Sequence, residues 1–273
     1  MSKLKNKAVD AIATILSSSH YCYKMAKVII MKRDNDCNED MLRNGEKKIV
    51  DFLIGRNLLN VFFDVGANVG DYLLLILEHN KPLNIYAFEP GPRNVDILRK
   101  RYSYMTNITI VEKALSNIEG AIDFYQPVDP MQTGLDSMFC MKTIGYDYAT
   151  TKHRVEAITL DKFCEQNGIN HVSFMKCDVE GNELAVLMGG RSMLMKGAID
   201  YIQFEFGHAA RAAHVFLYDI CNYLQGFDYN IFIVKPEGLE KFIYSPWEEN
   251  KYNLVNMFAI SKKVINTVSG ILI

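Results

Sequence analysis

The sequence predicts an α/β fold in which helices doubly wind a mostly parallel sheet. From Val61 onward, short apolar runs alternate with helical patterns, as in successive strand–helix–strand units. A glycine-rich turn, Gly66-Ala67-Asn68-Val69-Gly70, joins the first such run to a helix. The last two apolar runs, Tyr229–Val234 and Leu254–Ser261, are separated by a short loop without a helix pattern, so the sheet is expected to close with an antiparallel strand.

Val61–Val65 reads as the first strand. Asp71–Glu78 follows as a helix so apolar, through Leu73, Leu74, Leu75, Ile76 and Leu77, that it is expected to be buried. Asn84–Glu89 is the second strand, and Pro92 then sits at a first-turn helix position ahead of Val95, Leu98 and Tyr102 on one face. Ile108–Glu112 is the third strand. Ala121–Tyr125 and Val155–Thr159 form two short strands on either side of Gln126–Arg154, a long Pro-, Gly-, Asp- and Thr-rich connection of the kind that is usually functional or mobile. Val172–Cys177 is a core strand whose helix carries Leu184, Leu187 and Met188 at i, i+3 and i+4, and Ala198–Phe206 is another strand. A helix over roughly Ala210–Leu224 leads to the closing pair.

Residues 1–58 read as an N-terminal helical extension to a domain spanning 59–273. Met1–Lys7 is basic and Ala8–Leu16 fairly apolar, a superficial likeness to a secretory signal that Asp10 interrupts. Val9, Ile12, Ala13 and Leu16 fall at i, i+3, i+4 and i+7, so an amphipathic helix packing on the domain or on a partner is expected, with a homo-oligomer as one outcome. No stretch approaches the roughly 18 apolar residues of a membrane span.

Hydrophobic residues make up 49% and charged residues 23% of the chain, which excludes a disordered or fibrous class. With 30 basic and 32 acidic side chains the net charge is −2, so no overall field favours nucleic acid or anionic lipid. The six cysteines, Cys22, Cys37, Cys140, Cys164, Cys177 and Cys221, include no C-x-x-C pair, and reduced thiols in a cytoplasm are expected.

The Gly66–Gly70 turn has the pattern Gly-x-Asn-x-Gly, not the Gly-x-Gly-x-x-Gly that presents helix amides to a pyrophosphate. Directly after Asp64-Val65, it can curl around an uncharged ribose and a methionine tail. Glu89 ends the second strand 23 positions after Gly66, where a carboxylate can accept hydrogen bonds from both ribose hydroxyls of an adenosine, or cap the helix begun by Pro92. Ala114, Leu115 and Ser116 follow the third strand, where an adenine is commonly bordered, and Asp136 and Ser137 in the long connection can close over the cofactor or serve as turn residues.

Asp178 and Glu180 stand at the carboxyl end of a strand, the edge where open α/β sheets collect ligands. Asp178 can position the methionyl amine or the acceptor hydroxyl, and Glu180 can take a proton or orient the acceptor; capping of the helix from Asn182, with Lys176 as a surface partner, is the alternative. Glu205 and His208 are expected to reach the same cleft, with His208 a candidate general base; a structural or exposed role is the alternative for His208 and, equally, for His153. Asp178, Glu180 and Glu205 have the hard oxygen ligands a divalent cation takes, but nothing in their spacing demands a metal.

Six ordered blocks, Phe63–Gly70, Ala87–Pro90, Glu112–Ser116, Thr159–Asp161, Lys176–Gly181 and Glu205, together resemble the FkbM-type methyltransferases over roughly Val61–Ile260. The resemblance implies a class I methyltransferase, Rossmann-like fold with S-adenosylmethionine as donor, and O-methylation of a sugar, glycan or other hydroxylated small molecule. By position, Asp64, Gly66, Asn68, Gly70 and Glu89 would line the cofactor, and Asp178 and Glu180 would stand between cofactor and acceptor. Cys177 departs from the aliphatic residue common there, and residues before sixty match none of the blocks. A nicotinamide oxidoreductase and a non-catalytic cofactor-binding scaffold are the alternatives. Among the aromatics, Tyr146, Tyr148 and Trp247 can stack on a sugar or simply pack.

Overall fold

Strand alternation at the centre of the chain feeds two cores at once. The computed structural model describes residues 3–246 and 253–273, with side chains from Lys7 onward. Strand β1 (Val61–Val65) directs Phe63 and Val65 into one apolar cluster and Phe62 into another, as the period of two requires. Strands β2 (Asn84–Phe88) and β3 (Ile108–Val111) extend the sheet on one side. Strands β4 (Ala114–Leu115), β5 (Gly120–Pro127) and β6 (Thr150–Ile158) make a separate three-stranded sheet of order β4-β6-β5. Strands β7 (Val172–Cys177), β8 (Ile199–Gly207), β9 (Tyr229–Lys235), β10 (Gly238–Lys241) and β11 (Leu254–Ser261) complete the main sheet, of order β10-β9-β11-β8-β7-β1-β2-β3.

The strands from β8 to β3 run parallel, and β11 is antiparallel to both of its neighbours, β8 and β9. This is the closing strand pair expected of a methyltransferase sheet, and it differs from a dehydrogenase's continued parallel crossovers. The connection between the pair is longer than expected, however. Residues 236–253 separate the two strands and include β10, which pairs back on β9 as a hairpin edge.

Helices cover both faces. On one lie α3 (Glu46–Gly55), α4 (Asp71–Leu77) and α5 (Pro92–Tyr102), contributing Ile49, Leu53, Leu73, Ile76, Leu98 and Tyr102 to the core. On the other lie α6 (Leu160–Gln166), α7 (Glu183–Gly189), α8 (Arg191–Met195) and α10 (Leu217–Gln225). The anticipated helix over 210–224 is broken: α9 covers Ala210–Ala213, then His214 takes a left-handed conformation at φ 56 before α10 begins. Two helical faces also differ from expectation. Leu74 points outward from α4, and Met188 is exposed on α7 where Val186 is buried instead.

The long connection is shorter than the apolar pattern suggested, because β5 and β6 extend as a hairpin as far as the Pro127–Thr150 pair. Polar residues on an exposed hairpin face left no alternation to read there. Thr159 caps α6 by accepting the Lys162 N–H at 3.2 Å, and Asp161 accepts the Ser192 and Met193 N–H groups at 2.7 and 2.9 Å, so that motif block is a structural clasp between α6 and α8. Among the described residues no disulfide joins any of the six cysteines.

The N-terminal helices α1 (Lys3–Ser17) and α2 (His20–Asp34) form a hairpin. Of the two packings expected for α1, that on the domain is not seen: Val9, Ile12 and Leu16 are exposed. The chain after α2 docks firmly. Asp36 accepts the Asn253 and Leu254 N–H groups at 2.8 and 3.0 Å and the Asn253 side-chain amide at 2.9 Å, while Asn35 donates to the Val234 and Asn44 carbonyls. Residues 35–45 therefore strap the start of α3 against the ends of β9 and β11.

Candidate active site

Register places the chemistry. Val65 lies opposite both Phe88 and Cys177, so the residues that follow, Gly66, Glu89 and Asp178, leave three adjacent parallel strands at one edge of the sheet. A cavity of about 540 Å³ opens there, within the range of small-molecule sites. Its walls include Gly66–Val69, Glu89, Asn94, Lys113–Leu115, the 131–136 segment, Asp178–Glu180, Glu205, His208 and Asn256.

The glycine turn is fixed by backbone contacts. The Gly66 and Ala67 N–H groups both donate to the Phe88 carbonyl, at 3.0 and 2.9 Å. Gly66 has φ +84, and a Cβ there would stand 1.8 Å from the Asp178 carbonyl oxygen, so only glycine lets the turn lie against β7. Asn68 is left-handed at φ 50 and donates its N–H to Glu89 Oε2 at 2.9 Å. Gly70 serves the packing behind the turn: its Cβ would meet Tyr102 and Leu98, and its carbonyl accepts the Tyr102 hydroxyl. Gly70 does not line the cavity, and neither do Asp64, Ser116 or Ser137.

Glu89 is nearly inaccessible, and its Oε1 accepts the Gly91 N–H at 2.7 Å. It thus fixes the bend that leads into α5 and faces the cavity at once. Burial pushes its carboxyl up to about 8, against the lowering influence of the Gly91 and Asn68 N–H bonds. Asp136 in the 131–136 segment accepts from Gln126 and Asn94 at 2.7 and 2.8 Å and from Arg93 at 3.3 Å; burial raises it to about 6. Asp64 is wholly buried beneath the turn, with neither carboxylate oxygen hydrogen-bonded, and burial raises it to about 6. Ser137 is occupied otherwise, donating to the Glu180 carbonyl at 2.8 Å, and so ties the β5–β6 connection to the loop after β7.

Past β7, Asp178, Glu180 and Glu205 bring one carboxylate oxygen each to within 4.8 Å of one another, a grouping that can share protons or hold a hard divalent cation. Desolvation first, and then the negative charge of Asp178, raise Glu180 and Glu205 well above the usual carboxylate range. Lys176 is no surface residue. It is buried, donates to Asp178 Oδ2 at 2.7 Å and lies over the Tyr72 ring. Burial opposes its charge, but Asp178, Asp64 and Glu46 outweigh that and hold it above the ordinary lysine range. His208 stacks on Tyr146 and is lowered by burial and by Arg211, which keeps it neutral at physiological pH.

His153 lies on β6 opposite Phe124; Phe124 lines the cavity and His153 does not. Tyr146 and Tyr148 pack edge to face behind His208, and Trp247 lies outside the described residues. Sequence reasoning missed several walls. Asn94 follows the Pro92 helix start, and its buried Oδ1 has no partner. Glu39, Met41 and Glu46 come from the strap and α3, and Glu183 accepts the Val179 and Gly181 N–H groups to shape the Asp178–Gly181 loop. An acidic residue just after the Glu180-Gly181-Asn182 turn was the available signal for Glu183; for the strap there was none.

The residues present suit a nucleoside. Buried Asn68 Oδ1, Asn94 Oδ1 and Gln132 Oε1 at the cavity wall lack hydrogen-bond partners, as polar groups awaiting a ligand do. The mostly parallel sheet with an antiparallel strand inserted between β8 and β9 is that of the class I methyltransferases. Residues 64–231 match the methyltransferase FkbM domain, and the chain belongs to that family.

Among curated relatives, the chain is 26% identical over 153 residues to the 2-O-methyltransferase NoeI of Sinorhizobium fredii, covering 53% of this chain and 63% of that protein. It is 28% identical over 131 residues to the hexuronic acid methyltransferase AglP of Haloferax volcanii, covering 48% and 49%. The chain thus spans about half to under two thirds of the length of these relatives. A solved rRNA methylase of Streptococcus thermophilus superposes at a TM-score of 0.43 with 11% identity, over 81% of this chain and 98% of that one.

Proposed function

We propose that the protein is an S-adenosylmethionine-dependent O-methyltransferase acting on a hydroxyl of a sugar or glycan. One observation carries the reading: Glu89, at the carboxyl end of β2, faces the cavity from the same edge as the Gly66–Asn68 turn, with its carboxylate held by the Asn68 and Gly91 N–H groups. A carboxylate so fixed retains lone pairs for two ribose hydroxyls. The hexuronic acid in the name of AglP and the 2-O-methylation in that of NoeI support the acceptor class.

When bound, S-adenosylmethionine supplies a methyl group on a positively charged sulfur. The chain's task is then alignment and proton removal. Glu89 and the turn hold the nucleoside, and Asn68, Asn94 and Gln132 offer acceptors to its polar edges. Asp178, Glu180 and Glu205 face the acceptor side, and the raised proton affinity of Glu180 and Glu205 suits those two to receive a proton from a hydroxyl. Neutral His208 beside them is a second candidate to take that proton. Lys176 steadies Asp178, which leaves Glu180 or Glu205 to exchange protons.

Titration calorimetry with S-adenosylmethionine tests the donor half, and transfer of labelled methyl from that donor to uronic-acid and neutral oligosaccharides tests the acceptor half. Micromolar binding with label on a sugar oxygen is expected. Absence of binding overturns the reading, and binding with label only on other acceptor classes overturns its sugar clause.

A further inference from the structure

The hairpin of α1 and α2 is exposed on every side. From Lys7 to Ile30 all side chains are exposed apart from Ser19 and Cys22, which are half-buried. Yet the hairpin is not polar. On α1, Val9, Ile12 and Leu16 share one face with Ile15, which is 73% exposed. On α2, Tyr21, Met25, Val28 and Ile29 fall at i, i+4, i+7 and i+8, with Tyr21 at 74% and Ile29 at 59% exposure. Contiguous apolar surface of this kind marks an interaction face.

Its charge identifies the occupant. Residues 1–34 carry seven lysines and arginines, Lys3, Lys5, Lys7, Lys24, Lys27, Lys32 and Arg33, against Asp10 and Asp34, a net of +5 in a chain whose formal net charge is −2. The remainder is therefore at −7, and the sign asymmetry confines the positive charge to the apolar hairpin. Two such hairpins would repel one another if they paired. A negatively charged lipid surface satisfies both features: it attracts the lysines and takes up the isoleucines, while Tyr21 and Tyr23 have the apolar ring and polar tip that settle at the headgroup level. Among the described residues no helix is long and apolar enough to cross a membrane, so the contact lies in the interfacial plane.

We propose that the α1–α2 hairpin docks the protein on anionic membrane surfaces. The contact is independent of the methyltransferase reading, because no residue of the hairpin lines the cavity. Flotation of the full chain with phosphatidylcholine vesicles, with and without about 30% phosphatidylglycerol, tests it. Binding to the anionic vesicles that weakens with salt is expected, and Lys24→Gln/Lys27→Gln should weaken it about 20-fold. Ile12→Asp/Ile29→Asp should abolish it, with circular dichroism unchanged because both positions are exposed. Failure to float with anionic vesicles at low salt overturns the proposal, as does flotation indifferent to these substitutions. A dimer in sedimentation velocity that Ile12→Asp/Ile29→Asp dissolves, without vesicle binding, assigns the face to a second copy and also overturns it.

Discussion

The Glu89 carboxylate holds the Asn68 backbone: Oε2 accepts the Asn68 N–H at 2.9 Å while Oε1 accepts the Gly91 N–H at 2.7 Å. The residue offered to the nucleoside therefore also sets the turn that would cradle it. Glu89→Gln keeps the shape but replaces one acceptor oxygen by a donor. It should weaken S-adenosylmethionine binding by roughly 10- to 100-fold, since a buried hydrogen bond involving a charged group contributes about 1.5–3 kcal/mol. Calorimetry at fixed pH checks this, and undiminished affinity removes Glu89 from the site.

Stability of the ligand-free protein should fall with rising pH. Glu89, Asp64, Asp136 and Glu183 titrate at about 8, 6, 6 and 7 in the fold, against 4.5, 3.8, 3.8 and 4.5 otherwise. Each folded carboxyl binds its proton more tightly than the unfolded one, so the stability they contribute is complete below the unfolded values and is lost as pH rises through the folded ones. Melting temperatures between about pH 5 and about pH 8.5 should decline, and Asp64→Asn/Glu89→Gln should flatten the decline. An equally steep profile in the double variant would refute the assignment.

Gly66→Ala should collapse the turn. The new Cβ would need the space of the Asp178 carbonyl at a positive φ, costing roughly 2–4 kcal/mol and all measurable donor binding. Gly55→Ala, in a helix with nothing within 4 Å of its Cβ, should be neutral or slightly stabilising. Thermal melts of the two variants provide the comparison, and equal melting temperatures would contradict it.

Asp178→Asn should lower kcat about 100-fold while changing donor affinity much less. It also removes the negative charge that, after burial, raises Glu180 and Glu205, so their proton affinity drops and the acid limb of the kcat profile moves to lower pH. A limb that stays in place means that the three carboxylates do not act as a unit.

The strap has a separate signature. Asp36→Ala removes acceptors for the Asn253 and Leu254 amides, which loosens the wall that carries Glu39, Met41 and Leu254. The acceptor KM should rise severalfold with donor affinity unchanged; a loss of donor affinity of the same size would place the strap on the cofactor side.

Much of this was legible in the residues, for definite reasons. The β1, β2 and β7 ends are near-continuous apolar runs that stop at Gly66, Glu89 and Asp178, so sequence alone locates the edge they share. What was not legible depends on distant partners. Gly70 reads like Gly66, yet one glycine is required by Tyr102 and the other by Asp178, contacts 32 and 112 positions away that no local pattern reveals. Lys176 reads as a surface cation because its carboxylate neighbours, Asp64 and Glu46, come from other elements. The broken helix at His214 and the inserted β10 turn on single residues of irregular backbone, where periodicity carries no information.

Because Glu39, Met41 and Glu46 precede the matched domain and yet wall its cavity, a chimera cut at the domain boundary would join the glycine turn of one parent to the strap of another. Should Asp36→Ala raise the acceptor KM alone, exchange of the leading segment would alter acceptor choice without touching Asn68 or Glu89.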